Sequence, residues 1–201
     1  EHAFTMLLAF YKNFIEEVNI VKASKWVRLI GHEIWRKKIA VIGLGRIGKE
    51  MAKRCMSFGM EVWGFDLDID EQFMHDNKIN MINSIDEIDH TFDILSLHLP
   101  LTELTKSIID DKILHKLNQN VLIINTARAD LVNKEVLLSH LQQKPKMGYY
   151  TDVLWEEPIN ENEEIVKLEN AVITPHIGSR TYQSVARQGS AAVNHLKKLI
   201  P

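Results

Sequence analysis

Three glycines that follow a hydrophobic stretch constrain the fold of this chain more than any other feature. The stretch is Ile39-Ala-Val-Ile, and the glycines after it have the spacing GxGxxG. In a strand–turn–helix unit the first glycine permits a tight turn, the second lets the backbone approach a pyrophosphate, and the third lets the helix pack against the strand. The phosphates would meet the helix N-terminus, whose N–H groups and dipole attract anions. The motif predicts a dinucleotide site at Gly43, Gly45, Arg46, Ile47 and Gly48.

The residues after the glycines follow the pattern that such a unit requires. Apolar residues recur at helical spacing from Ile47 to Cys55, and Gly59 ends the predicted helix. A short strand over 60–65 leads to Asp66, where dinucleotide-binding domains place a carboxylate for the ribose hydroxyls, about 20 residues beyond the glycines. Such a carboxylate repels a 2′-phosphate, so we predict NAD as the cofactor and not NADP. The alternative interpretation is an aspartate that only begins a turn.

Size and composition narrow the class of protein. The 201 residues suffice for one α/β domain and are few for a two-domain enzyme, and the net charge of −3 gives no reason to expect a nucleic-acid partner. Cys55 is the only cysteine, so the chain offers no internal disulfide and no cysteine metal cluster, and we assign no metal site. The N-terminus lacks a signal-peptide pattern and no apolar run could span a membrane, which predicts a cytoplasmic protein without a membrane partner.

Apolar runs of strand length alternate with helical patterns along the chain, as is typical of parallel βαβ units. Strands are predicted at 39–42, 60–65, 92–99, 121–125, 147–153 and 171–174, and helices at 47–58, 70–77, 110–116, 133–143 and 181–199. Asn133 and Thr181 are the predicted N-caps of the last two helices. A helical apolar stripe covers 3–18, a connector covers 26–35, and the acidic stretch 156–164 is predicted as an exposed loop. We predict a doubly wound Rossmann sheet in three layers, α/β/α, forming one NAD-binding domain over 1–201.

Three later segments carry a resemblance to a known family. They are Ile124-Asn-Thr-Ala-Arg128-Ala-Asp, Thr151-Asp152-Val-Leu-Trp-Glu-Glu157-Pro158 and Thr174-Pro-His176-Ile-Gly178-Ser179. Together with the glycine turn, Glu1-His2, and Leu97-His98-Leu-Pro100-Leu-Thr with Thr105 after it, they resemble the D-isomer-specific 2-hydroxyacid dehydrogenases. The motifs follow the family's order over nearly the whole chain.

The resemblance implies an NAD-dependent oxidoreductase and gives three residues a catalytic role. Arg128 matches the arginine that holds a substrate carboxylate bidentately and polarises the adjacent carbonyl. His176 matches the acid/base that donates a proton to the carbonyl oxygen as hydride arrives. Glu157, directly before Pro158, matches the carboxylate that orients this histidine and stabilises its protonated form. The alternatives are a surface charge for Arg128, a loop histidine for His176, and Glu156 in place of Glu157.

The same resemblance places further residues around the cofactor. Asp152 matches a residue near the nicotinamide, with a strand-end cap as the alternative. His98 is interpreted as structural or adjacent to the cofactor, and not as catalytic. The other predicted cofactor contacts are Pro100, Thr105, Thr126, Ala127 and Gly178. The implied reaction moves a hydride between the nicotinamide and a D-2-hydroxy acid or its 2-oxo acid.

The chain also departs from the family's pattern. Family members build a substrate domain from segments before Glu1-His2 and after the last helix, and 1–201 contains neither segment. Because that domain supplies donors for the substrate carboxylate and excludes water, we expect this chain to bind NAD and to turn over weakly or not at all. Ala129 replaces a glycine, which would restrict the backbone if the position needs a positive φ. Tyr149 and Tyr150 replace small residues.

Two other functions are alternatives to a dehydrogenase, and one assembly is expected. A non-catalytic NAD-sensing or interaction module of the corepressor type has no evident need for Arg128, Glu157 and His176 together, and a different Rossmann enzyme, such as one like adenosylhomocysteine hydrolase, should lack this set. A homodimer through the cofactor domain is expected, because the resemblance puts the N-terminal helix at the dimer interface and the stripe over 3–18 offers more apolar surface than one sheet face needs. An ordinary packing helix is the alternative. The choice of 2-oxo acid stays open.

Overall fold

The computed structural model describes residues 1–199 and arranges the apolar runs as one sheet of seven parallel strands. The strands are β1 (Lys38–Ile42), β2 (Glu61–Phe65), β3 (Asn80–Met81), β4 (Ile94–Leu97), β5 (Leu122–Asn125), β6 (Gly148–Thr151) and β7 (Ala171–Ile173). Their order is β3-β2-β1-β4-β5-β6-β7, so the sheet grows in one direction from β1 to β3 and in the other from β4 to β7. Ligands of such sheets bind at this switch point, outside the carboxyl ends of the strands.

Helices cover both faces of the sheet. In the described residues they are α1 (His2–Tyr11), α2 (Phe14–Lys22), α3 (Arg46–Ser57), α4 (Glu71–Asp76), α5 (Asp111–Lys116), α6 (Lys134–Gln143) and α7 (Tyr182–Leu199). One buried apolar cluster joins the sheet to α5 and α6, and a second joins it to α1, α3 and α4. Because both faces are covered, β4 and β5 are buried along their whole length. The predicted three-layer Rossmann fold is confirmed.

Local capping chemistry begins two helices where the sequence predicts. The Asn133 side chain accepts a hydrogen bond from the N–H of Val136 at 3.1 Å, and Thr181 Oγ1 accepts one from the N–H of Ser184 at 3.1 Å. Each bond satisfies an N–H group that the first turn of a helix leaves without an internal partner. Both predicted N-caps are confirmed.

The structure differs from the sequence-based prediction in three places. The stripe over 3–18 is not one helix, because Asn13 adopts φ 49° and separates α1 from α2. The strand β3 was not predicted, since its two exposed residues are too few to show alternation. The acidic stretch is not wholly exposed: Glu163 is 4% exposed, and its Oε2 accepts from Lys134 Nζ at 2.9 Å. Within residues 1–199, no helix is both long enough and apolar enough to cross a membrane.

Candidate active site and cofactor cleft

The turn between β1 and α3 uses its three glycines for different reasons. Gly43 adopts φ +100°, and a Cβ there would lie 2.6 Å from the carbonyl carbon of His98. A Cβ on Gly48 would lie 1.8 Å from the carbonyl oxygen of Gly43, so only glycine allows α3 to approach the turn this closely. A Cβ on Gly45 would meet nothing within 4 Å. The space beside Gly45, at the N-terminus of α3, therefore suits the pyrophosphate of a dinucleotide.

A cavity of about 460 Å³ extends from this turn along the carboxyl edge of the sheet, and its walls include Gly45, Asp66, His98 and Pro100. Asp66 follows β2 and accepts a hydrogen bond at Oδ2 from the N–H of Leu44 at 2.6 Å. The carboxylate proposed for the ribose thus lies beside the turn proposed for the phosphates. The turn suits the pyrophosphate and the carboxylate suits the ribose of the dinucleotide that the motif predicts.

The loop after β4 forms another wall of this cavity. His98 Nε2 lies 2.8 Å from Ser96 Oγ, and burial lowers the pKa of His98 to about 4. The ring is therefore neutral near pH 7, which agrees with a structural or cofactor-adjacent role. Thr105 is fully buried, and its hydroxyl donates to the carbonyl oxygen of Pro100 at 2.7 Å. Thr105 shapes the loop that presents Pro100, and its direct contact with the cofactor stays a prediction.

Two of the proposed catalytic residues are in contact. His176 Nδ1 lies 2.7 Å from Glu157 Oε2, and Glu157 Oε1 accepts from the N–H of Leu154 at 2.9 Å. Burial alone would raise the pKa of Glu157. The hydrogen bonds from His176 and Leu154 and the charge of His176 together outweigh burial, so the pKa is lowered. The carboxylate is charged at neutral pH, and because its pKa is depressed, the pairing is lost only as the pH falls below the usual glutamate range. Glu157, and not its neighbour Glu156, makes this contact with the half-exposed imidazole.

Asp152 holds the loop that carries His176. Its Oδ1 accepts from the N–H of Ile177 at 2.8 Å and from Thr174 Oγ1 at 2.5 Å, and its Oδ2 accepts from the N–H of Gly178 at 2.7 Å. A Cβ on Gly178 would lie 3.0 Å from that Oδ2, so a small residue is needed there. His176 itself adopts φ +54°, an uncommon conformation that these bonds on either side support. The sequence favoured a place near the nicotinamide for Asp152, with a strand-end cap as the alternative, and these bonds agree with a capping role.

The N-terminal helix reaches the same loop through a residue that the sequence did not place in the site. His2 Nε2 lies 2.9 Å from Thr174 Oγ1 and 3.3 Å from Asp152 Oδ1. The only available signal was the Glu1-His2 pair in the resemblance. His2 links α1 to the loop that carries His176, although 172 positions separate it from Thr174.

Arg128 follows β5 at the carboxyl edge of the sheet, and a buried asparagine shapes the turn that carries it. Asn125 donates from Nδ2 to the carbonyl oxygen of Arg128 at 2.9 Å and accepts at Oδ1 from the N–H of Ala127 at 3.1 Å. The guanidinium is exposed, and its Nη1 donates to the carbonyl oxygen of Ala127 at 2.6 Å. Thr126 and Ala127 are half-buried within the turn. Asn125 thus fixes the backbone of Arg128, while the guanidinium faces solvent.

The structure accommodates the departures from the family's pattern near this turn. Ala129 begins a 3₁₀ turn and is not among the residues of the described chain that adopt a positive φ, so its methyl group does not restrict the backbone. Tyr149 is fully buried, and its hydroxyl accepts from Asn125 Nδ2 at 3.2 Å. Tyr150 packs edge-to-face on Phe10 of α1, with the ring centroids 5.5 Å apart. Both tyrosines therefore have defined partners in the core.

The strand order brings the predicted residues to one edge of the sheet. Six strands each contribute a residue at or shortly after their carboxyl end. Gly43, Asp66, His98 and Asp152 follow their strands directly, and Arg128 and His176 lie three residues beyond theirs. A family model described as "D-isomer specific 2-hydroxyacid dehydrogenase, NAD binding domain" matches residues 4–178. This chain belongs to that family. The predicted family membership and the predicted NAD cofactor of this 2-hydroxyacid dehydrogenase domain are confirmed.

The relatives of this chain are longer proteins. D-3-phosphoglycerate dehydrogenase of Methanocaldococcus jannaschii is 30% identical over 197 residues, which are 97% of this chain and 37% of that protein. Hydroxypyruvate reductase of Thermotoga maritima is 32% identical over 202 residues, 98% of this chain and 65% of that protein. A crystal structure of D-lactate dehydrogenase from Aquifex aeolicus, complexed with NAD and lactic acid, superposes with a TM-score of 0.90 at 28% identity and covers 100% of this chain and 65% of that one. The chain spans less than two thirds of each.

Proposed function

We propose that this domain transfers a hydride between NAD and a D-2-hydroxy acid or its 2-oxo acid, together with a substrate domain. The observation that supports this most strongly is the 2.7 Å contact between His176 Nδ1 and Glu157 Oε2, at the same sheet edge as the glycine turn. A non-catalytic NAD sensor needs no such proton-transfer pair. We therefore favour the enzyme over the sensor.

The chemistry follows from the roles of three side chains. When bound, the cofactor supplies the hydride to the carbonyl carbon or accepts it from the hydroxy acid. Arg128 binds the substrate carboxylate with its planar fork and polarises the neighbouring carbonyl. Protonated His176 donates a proton from Nε2 to the carbonyl oxygen, and in the reverse direction takes it back. Glu157 keeps the ring oriented through Nδ1 and stabilises its positive charge.

The cofactor would be held along the cavity beside the glycine turn. The N-terminus of α3 would bind the pyrophosphate, where Gly45, Arg46 and Ile47 are exposed. Asp66 would accept from the ribose hydroxyls. Asp152 is the proposed contact near the nicotinamide, and the other proposed cofactor contacts in the loops are Pro100, Thr126, Ala127 and Gly178.

We propose that residues 1–201 form one cofactor-binding unit that acts with a substrate domain in the same polypeptide or in another. Apolar side chains of α7 support this, because Tyr182 is 95% exposed and Val185, Val193 and Leu196 are each more than half exposed. A helix with this much exposed apolar surface is suited to packing against a further domain.

The substrate is a 2-oxo acid of open identity, and a cytoplasmic location remains part of the proposal. The direct test is NADH oxidation with a panel of 2-oxo acids, with and without a substrate domain.

Replacing Asp66 with alanine is expected to weaken NADH binding by about 10- to 100-fold and to leave NADPH binding unchanged or stronger. A charge-assisted hydrogen bond contributes about 1.5–3 kcal/mol, and each 1.4 kcal/mol is about tenfold in Kd. Fluorescence titration with both cofactors measures the ratio. Asp68→Ala, at an exposed carboxylate of the same cavity, is the matched control. Equal losses for both cofactors would show that Asp66 acts only by holding the N–H of Leu44, and would contradict the ribose assignment.

The homodimer remains a proposal, and we propose a different surface for it from the stripe over 3–18. The α1 half of the stripe packs within the chain, where Phe4 and Leu7 are buried. The apolar groups left exposed lie on α2 and on the irregular segment after it, where Trp26 is 82% and Ile30 is 91% exposed. We propose that this later surface contacts a second copy.

The variant Trp26→Ser/Ile30→Ser is therefore expected to convert a dimer into a monomer, because it removes the largest apolar area of that surface. Sedimentation velocity at micromolar concentration measures the change. Leu104→Ser is the control, since Leu104 is also well exposed, at 79%, but lies in the loop after β4. A wild-type chain that sediments as a monomer would refute the dimer.

A further inference from the structure

A cluster of three metal-ligating side chains lies where α5 packs beside α6. Asp111 and His115 are four positions apart on one face of α5, and His140 is on α6. Their ligand atoms all lie within 4.8 Å of one another, and none of the three lines the cofactor cavity. We propose that these residues form a binding site for a divalent transition-metal ion, with Zn²⁺ as the best match.

The distances within the cluster are close to those of a coordination shell. Asp111 Oδ1 lies 3.1 Å from His140 Nε2 and 3.0 Å from His115 Nδ1. Zinc bonds of about 2.0–2.1 Å in a tetrahedron put neighbouring ligand atoms about 3.3 Å apart. The two imidazole rings stand at 89° to each other with centroids 4.7 Å apart, so they approach the carboxylate from different directions. A metal ion between them would replace two hydrogen bonds by three coordination bonds after small side-chain rotations.

The donor set selects the class of ion. Two imidazoles and one carboxylate suit Zn²⁺, Co²⁺, Ni²⁺ or Cu²⁺, whereas Ca²⁺ and Mg²⁺ prefer oxygen ligands only. Three protein ligands leave a fourth position for water.

One ligand is held firmly and the other two are accessible. The His140 side chain is 6% exposed, whereas those of His115 and Asp111 are 69% and 60% exposed. His140 Nδ1 is buried, with no hydrogen-bond partner within residues 1–199, so packing against α5 holds this ring. A ligand that is already ordered costs less entropy to recruit, and exposed partners give an ion a route of entry. Bound metal would therefore clamp α5 to α6.

The test is calorimetric titration of the metal-stripped chain with ZnCl₂ and, separately, MgCl₂. We expect one Zn²⁺ per chain, no Mg²⁺ binding at this site, and at least a tenfold weaker Zn²⁺ affinity in both His115→Ala and Asp111→Asn. These two side chains are exposed, so their variants should fold. At a Zn²⁺ concentration about 100 times the wild-type Kd, the melting temperature should rise by about 5–10 °C in the wild-type chain and by no more than about half as much in either variant.

His75→Ala is the matched control, because His75 is another exposed histidine beside a carboxylate, 3.4 Å from Asp76, and lies outside the cluster. Its Zn²⁺ affinity should equal that of the wild-type chain. The proposal is overturned if Zn²⁺ does not bind stoichiometrically, or if His115→Ala keeps the wild-type Zn²⁺ affinity. Binding that is lost in His176→Gln and kept in His115→Ala would place the ion at the catalytic pair and would also overturn it.

Discussion

Replacing His176 with glutamine is expected to lower kcat for 2-oxo acid reduction by about 10²- to 10⁴-fold in a form of the protein that includes a substrate domain. Glutamine can still donate a hydrogen bond to Glu157, but it cannot deliver a proton to the carbonyl oxygen as the hydroxyl forms. Steady-state NADH absorbance with a saturating 2-oxo acid measures the change. The Kd for NADH should stay within about twofold, because the His176 side chain is not part of the glycine turn.

Glu157→Gln separates the role of the carboxylate from that of the ring. It keeps the shape of the side chain and removes the charge that stabilises protonated His176, so kcat should fall here as well. The double variant should lose no more than His176→Gln does, because Glu157 acts through the histidine and the two effects are not additive. An unchanged kcat in His176→Gln would disprove the assignment, and additive losses would disprove the coupling.

Gly48→Ala is expected to lower the stability of the protein, whereas Gly45→Ala is expected to weaken NADH binding and leave the stability unchanged. At Gly48 the new Cβ would lie 1.8 Å from the carbonyl oxygen of Gly43, which is backbone and cannot swing aside. The helix α3 must shift, and we expect a loss of about 3 kcal/mol in the free energy of unfolding. That loss corresponds to a melting temperature about 6–12 °C lower.

Gly45→Ala should leave the free energy of unfolding within about 0.5 kcal/mol of the wild-type value, because its Cβ would meet nothing within 4 Å. It should nevertheless weaken NADH binding at least tenfold, since the methyl group occupies the space proposed for the pyrophosphate. Thermal melts and NADH fluorescence titration on both variants test the pair. Wild-type NADH affinity in Gly45→Ala would show that the phosphates do not approach this residue.

Most strands and helices were predictable because their signals are local. The stretches that became β4 and β5 are mostly apolar and buried throughout, since helices cover both faces of the sheet. The N-caps Asn133 and Thr181 were predictable from side chains that bond within three residues. Local reasoning failed at Asn13, where a single left-handed residue divides an unbroken apolar stripe. It failed also for β3, which exists only because β2 offers it an edge.

The site was predictable where motifs mark it and unpredictable where distant residues meet. The sequence proposed catalytic roles for Arg128, Glu157 and His176, which stay predictions, but it did not point to His2, whose partner Thr174 is far away in the chain. It also offered no signal for the cluster at the α5–α6 contact, because His140 lies on a different helix from its two partners.

The sequence by itself determined the glycine turn, the carboxylate after β2, the family and the cofactor, because each depends on residue types within a short stretch. The resemblance implied that Glu157 pairs with His176, and the structure has the two side chains in contact, whereas only the tertiary structure decided that Asp152 holds the His176 loop. It alone also showed that a methyl group at position 129 fits. The physical reason is that a local conformation is limited by the sterics of a few residues. Contacts between distant segments depend on the strand order, which brings the carboxyl ends of parallel strands to one edge.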